Sequence, residues 1–165
     1  MTRDYSQFLK STTKGGGAKH KLTTLETLGW QPYFAQQTSV DEMADTPPVR
    51  IIEVHRTGLH AVGDEVDTVI PPGPDATVGD WLMFDRAHPP SSRVLDRKSL
   101  IKRRAAGHDR QTQLIAANID TVFIVSSCNQ DFNVARLERY IALAFEAEVA
   151  PVIILTKTDL CETPD

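Results

Sequence analysis

The chain has 165 residues, a formal net charge of −4, 41% hydrophobic and 24% charged residues. These are the proportions of an ordinary globular protein with enough chain for a core, and they exclude collagen-like, low-complexity and disulfide-scaffold classes. No apolar stretch approaches the ~20 residues of a membrane-spanning helix and no signal-peptide pattern opens the chain, so no membrane partner and a cytoplasmic location are expected.

In chain order, residues 1–21 are polar, with Gly15-Gly16-Gly17 flanked by Lys14 and Lys19. They read as a flexible basic tail that buries too little apolar surface to order itself. Residues 22–45 hold Leu25, Leu28, Trp30, Tyr33 and Phe34 at roughly helical spacing, interrupted by Gly29 and Pro32. A short helix or helical hairpin that docks on the next domain fits this pattern. Residues 46–114 are β in character. Val49–His55, Leu59–Val62, Val66–Ile70, Trp81–Phe84, Arg93–Leu95 and Leu100–Lys102 are short runs punctuated by Gly and Pro. Their number and length predict a small closed barrel of the OB type.

The pattern changes over residues 115–165. Ile119–Val125 is a continuous apolar strand, and Asn133 is a good N-cap for a helix with Val134, Leu137, Ile141, Ala144 and Phe145 on its apolar face. A second apolar strand follows Pro151. Strand, helix, strand at this spacing is a βαβ unit and implies a parallel pair. The expected fold class is therefore mixed, an all-β barrel followed by the first βαβ unit of an α/β domain. One such unit cannot cover its own strands, so Ile124, Ile153 and Leu155 are expected to be exposed, favouring aggregation or pairing with a second copy.

The net charge conceals a segregation. Residues 31–92 carry ten Asp/Glu against three Lys/Arg, whereas residues 93–110 carry seven Lys/Arg against two Asp/Glu. Arg93, Arg97, Lys98, Lys102, Arg103, Arg104 and Arg110 make a candidate phosphate-binding stripe, with a solvated strand-and-turn face as the other reading. Cys128, Cys161 and the five histidines lack metal-ligand spacing, so no metal site is expected within the chain.

The second apolar strand ends in Thr156-Lys157-Thr158-Asp159. Guanine presents two adjacent donors, N1–H and the N2 amine, and one carboxylate can accept both. Adenine has an acceptor at N1 and no N2 amine, so the same carboxylate rejects it. A bidentate base contact of this kind discriminates by about 1–3 kcal/mol. A Lys two positions earlier can lay its aliphatic stem on the purine face. The carboxyl end of a strand is where open α/β sheets bind ligands. A solvated turn remains the alternative reading of these four residues.

Several motifs in order resemble one known family. A barrel, then Gln113-x-x-x-Ala116-Ala117-Asn118-x-Asp120, then Asp131-Phe132-Asn133-x-x-Arg136-x-Glu138-Arg139-Tyr140, then Thr156-Lys157-x-Asp159-Leu160, is similar to the ribosome small-subunit-dependent GTPase A family. Leu28-Gly29-Trp30-x-Pro32-x-Phe34 and Val78-Gly79-Asp80-Trp81 add to the resemblance. It implies an OB barrel, a circularly permuted GTPase domain in which guanine recognition precedes the P-loop, and a zinc-binding region further on. It implies GTP or GDP with Mg²⁺, the small (30S) ribosomal subunit and its 16S rRNA as partners, and a role in late subunit maturation. Thr156, Lys157, Thr158 and Asp159 would contact guanine, and the basic stretch would face RNA. No G-x-x-x-x-G-K-[ST] occurs in the 165 residues. The chain is therefore expected to be an N-terminal fragment, with no catalytic residues and no turnover alone. Zn²⁺ would belong only to the missing C-terminal region. Thr156 stands where many members of that family have Asn. The alternative is a non-catalytic OB-fold RNA-binding module with an unrelated α/β appendage.

Overall fold

In a computed structural model of the protein, residues 22–104, 112–128 and 132–160 are described. The tail at residues 1–21 and Arg110 lie outside them. Three short helices open this part: α1 (Thr24–Thr27), α2 (Pro32–Ala35) and α3 (Val40–Asp45). Each begins where the sequence satisfies free amides. The Thr23 hydroxyl accepts from the Glu26 amide at 3.2 Å, and the Glu26 carboxylate accepts from the Thr23 N–H at 2.8 Å. Pro32 starts α2, where its missing N–H costs nothing. The Ser39 hydroxyl caps α3 through the Glu42 amide.

Five strands then form one antiparallel sheet: β1 (Pro48–His55), β2 (Gly58–Gly63), β3 (Val66–Ile70), β4 (Trp81–Met83) and β5 (Arg93–Val94), in the order β3-β2-β1-β4-β5. The β1–β2 register shifts between Ile51 and Glu53, a bulge that bends the central strand. One face buries Val49, Ile51, Leu59, Ala61, Val66, Ile70, Leu82 and Phe84. The alternation along β4 sends Trp81 and Met83 to the opposite side, where they join Phe34 and Leu95. Leu25, Leu28, Trp30 and Met43 from the helical segment pack there. Trp30 meets Trp81 edge-on at 4.8 Å between ring centroids.

The closed barrel expected from the sequence is not found. Among the described residues the sheet is open, with β3 and β5 at its edges. The strand needed to close it, β5, has two residues, and both are used in pairing with β4. A separate hairpin, β6 (Leu100–Arg104) and β7 (Thr112–Ala117), follows.

β8 (Thr121–Ser127), α4 (Val134–Glu146) and β9 (Ala150–Thr156) complete the fold, with β8 and β9 paired in parallel. The Asn133 side chain accepts from the Arg136 amide at 2.9 Å and caps α4. Leu137 and Ala144 are buried, but Val134 and Phe145 are exposed, unlike the face expected. With Ala144 turned inward, Phe145 lies about 100° further round the helix and points away. Ile124 is also buried, contrary to expectation, because α4 packs across β8 and β9. Ile153 and Leu155 are exposed as expected. Among the described residues no helix is long and apolar enough to cross a membrane.

Candidate functional site

The turn after β9 is built by strand pairing and one unusual backbone angle. The β8–β9 register ends with Ser127 opposite Thr156. The Cys128 amide donates to the Thr156 carbonyl at 2.9 Å, and the Thr156 hydroxyl donates to the Ser126 carbonyl at 3.3 Å. Thr156 thus ties the carboxyl ends of the two strands together. Lys157 follows with φ +56°, in the left-handed region that side chains other than Gly seldom adopt. That residue turns the chain out of β9 into a single 3-10 turn, Thr158–Leu160. Thr156, Lys157, Thr158 and Asp159 are all exposed. Among the described residues neither Lys157 nor Asp159 has an ion-pair partner. An ammonium and a carboxylate two residues apart, held beyond the end of a parallel strand, can cover a flat ring and accept two adjacent donors.

The basic stretch is not one stripe. The Arg93 guanidinium donates to Glu42 Oε1 through Nη2 at 2.6 Å and Nε at 3.0 Å, and to the Gln37 carbonyl at 3.1 Å. Arg97 grips Asp80 with two bonds of 2.8 Å and reaches the Asp75 carbonyl at 2.7 Å. Asp80 is fully buried and also accepts from the Thr77 amide at 2.8 Å. The hydrogen bond from Asp80 raises the Arg97 pKa above its ordinary value, outweighing burial. The Lys98 ammonium donates to Gln31 Oε1 at 2.8 Å and lies 3.5 Å from Asp120. Three of the seven cations are thus fastened to the helical segment or to the sheet.

Lys102 and Arg103 on β6 are exposed, and Arg103 donates to Gln113 Oε1 at 3.0 Å. Arg104 ends the same strand. Lys102 and Arg103 are thus cations of β6 turned to solvent. Among the described residues no group of His, Cys, Asp and Glu is placed to hold a metal.

Reading the sequence for charge missed two structural residues, Asp80 and Arg50. Burial lowers the Arg50 pKa, partly offset by Asp120, and its guanidinium lies 5.9 Å from the Trp81 ring. The Val78-Gly79-Asp80-Trp81 motif was the available signal for Asp80, since an acid carried into the core with Trp81 needs hydrogen-bond donors or a cation there.

The arrangement defines a class first: a mixed α/β protein in which an antiparallel sheet leads into a parallel strand–helix–strand unit ending in Thr-Lys-x-Asp. Residues 94–165 match the model of the RsgA GTPase family. The chain is 47% identical over 144 residues to the small ribosomal subunit biogenesis GTPase RsgA 2 of Vibrio parahaemolyticus, covering 86% of this chain and 40% of that protein. To the small ribosomal subunit biogenesis GTPase RsgA of Mesorhizobium japonicum it is 45% identical, covering 84% and 41%. To that of Xylella fastidiosa it is 39% identical, covering 83% and 46%. The chain is a relative of the RsgA GTPases, as its motifs implied. It spans less than half the length of these curated relatives. The crystal structure of YloQ, a circularly permuted GTPase, aligns at 23% identity with a TM-score of 0.48, covering 72% of this chain and 43% of that one.

Proposed function

We infer that the protein is part of a GTPase that binds the small ribosomal subunit and acts in its late maturation. In this reading residues 1–21 are a basic tail, 22–45 a helical brace, 46–114 an RNA-facing OB-type domain, and 115–165 the start of a circularly permuted GTPase domain. The five-stranded open sheet, with its larger apolar cluster on one face, suits an OB fold, which is a partly open five-stranded barrel. The observation that carries the reading is the turn after β9. Exposed Lys157 and Asp159 stand beyond the carboxyl end of a parallel strand, where such sheets bind ligands.

In this role Asp159 accepts guanine N1–H and the N2 amine, Lys157 covers the ring, and Thr156 holds the turn to β8 instead of supplying an amide. GTP or GDP and Mg²⁺ serve the whole protein, because phosphate binding needs P-loop amides and a Lys that these 165 residues lack. Zinc is assigned to no residue of this chain. The 30S subunit and its 16S rRNA are the partners, in the cytoplasm, and Lys102 and Arg103 are better placed to meet phosphate than Arg93, Arg97 or Lys98. This polypeptide by itself binds guanine nucleotide weakly and does not hydrolyse it.

Two measurements on the purified chain test this. GDP, but not ADP, should shift the amide resonances of residues 157–160. GTP turnover should stay at the buffer rate with and without 30S subunits. Equal shifts with ADP would remove the guanine assignment, and 30S-stimulated hydrolysis would remove the division of labour.

A further inference from the structure

Asn118, in the three-residue connection between β7 and β8, has no part in the proposed nucleotide or RNA contacts. Its surroundings are nonetheless densely bonded. It is not a glycine, yet its φ is +55°. Each of its four polar groups meets a different atom of the antiparallel part. Its amide N–H donates to the Ser99 carbonyl at 2.9 Å. Its carbonyl accepts from Arg50 Nη2 at 3.3 Å. Oδ1 accepts from the Lys98 amide at 2.8 Å, and Nδ2 donates to the Gly79 carbonyl at 3.0 Å.

The neighbours extend the same pattern. The Ala117 amide donates to the Val78 carbonyl at 2.8 Å. Gly79, at φ +91°, presses so close to the Ala117 carbonyl that a Cβ would collide with it. The Ser99 hydroxyl donates to the Ile119 carbonyl at 2.8 Å and lies 3.0 Å from the Ile119 amide. The Asp120 carbonyl accepts from the Ala150 amide at 3.1 Å, which fastens the first residue of β9. Arg50 also donates to the Leu28 carbonyl, and the Arg97–Asp80 pair fixes the residue before Lys98. The turns before β4 and β6 thus bond the Asn118 side chain, β1 bonds its carbonyl through Arg50, and the two residues that follow it lead into β8 and fasten the start of β9.

We propose that Asn118 is a positioning residue, a rigid joint that makes the antiparallel sheet and the β8–α4–β9 unit move as one body. A three-residue connection could serve as a hinge, because such segments absorb φ/ψ change. Here the residue that would turn is held by four bonds, and a hinge motion would break most of them together. The consequence rests on the proposed function: contact at the sheet would fix the orientation of Lys157 and Asp159 relative to the bound surface.

The test is the rotational diffusion of the 165-residue chain, from ¹⁵N relaxation of amides in β1–β4 and in α4. The native chain should show one correlation time for both sets. Asn118→Gly keeps the left-handed backbone and removes both side-chain bonds. It should give separate correlation times with the chemical shifts within each part unchanged. Asn118→Asp keeps the acceptor for Lys98 and loses the donor to Gly79, so it should fall between the two and keeps the test open if the Gly variant unfolds. Two correlation times in the native chain, or one in both variants, would overturn the proposal. Neither nucleotide nor RNA enters the measurement, so failure of the joint leaves the proposed function standing. Absence of guanine binding would equally leave the joint standing.

Discussion

At Asp159 the hydrogen-bonding sense of a single group sets the base that the turn can accept. An aspartate accepts from two adjacent donors, whereas an asparagine offers one acceptor and one donor. Xanthine replaces the guanine N2 amine with an oxygen, so Asp159→Asn should reverse the preference between GDP and XDP. The reversal should be about tenfold or more, given about 1–3 kcal/mol for a bidentate base contact. Titrations read from the amides of residues 157–160 check it, and an unchanged preference would remove Asp159 from the base contact. Arg97 illustrates the opposite use of charge. Its partner Asp80 is fully buried, and removing one member of such a pair strands the other. Arg97→Met should destabilise the fold by about 3 kcal/mol in urea unfolding. Asp80→Asn added to Arg97→Met should recover part of that loss, because no buried charge is then left. A surface role for Arg97 would instead give a change near zero.

At the scale of elements, the face of β1–β3 turned away from the apolar core carries a linked set of titratable groups. His60 Nε2 lies 2.6 Å from Asp67 Oδ1, and its Nδ1 lies 3.8 Å from Glu53, which meets His55 at 3.0 Å. The Asp67 hydrogen bond raises the His60 pKa above the ordinary histidine value, and the His55 hydrogen bond lowers that of Glu53. A raised histidine pKa gives stability that is present below the ordinary value and is lost as pH rises through the folded value. The lowered Glu53 contributes above the ordinary carboxylate value and loses that contribution as pH falls through its folded pKa. Asp67→Asn should therefore move the His60 midpoint down toward the ordinary value in an NMR titration. An unmoved midpoint would discount the pair. Elements like these were readable in the sequence because strands and turns are local. Val66–Ile70 alternates and stops at two prolines, and Asn133 precedes an apolar repeat. The open sheet was not readable, because closure depends on how many residues of Arg93–Leu95 find partners. The fates of Arg93, Arg97 and Lys98 were hidden for a related reason. Their partners Glu42, Asp80 and Gln31 lie between 17 and 67 residues away in sequence, beyond any local pattern. The place of Lys157 and Asp159 just past β9 was legible because one strand end carries both.

Across the whole molecule, the parallel pair is the part least able to satisfy itself. Parallel sheets are ordinarily covered on both faces. Here α4 packs across β8 and β9, yet Phe123 and Val125 are 64% and 61% exposed, and Val152, Ile153 and Leu155 are 41–48% exposed. β8 and β9 pair only with each other among the described residues, so each has an edge free for another strand. Apolar faces next to open edges favour association between copies. The chain should therefore sediment as a concentration-dependent mixture at micromolar to millimolar protein. Phe123→Lys with Val125→Thr should shift that mixture toward monomer, because a charge on an exposed strand face opposes stacking and edge pairing. Both positions are exposed, so neither change should weaken the fold by more than about 0.5 kcal/mol. That separates a loss of association from a loss of folding. A native chain that stays monomeric over the whole range would mean that α4 and the short hairpin β6–β7 already shield β8 and β9 enough.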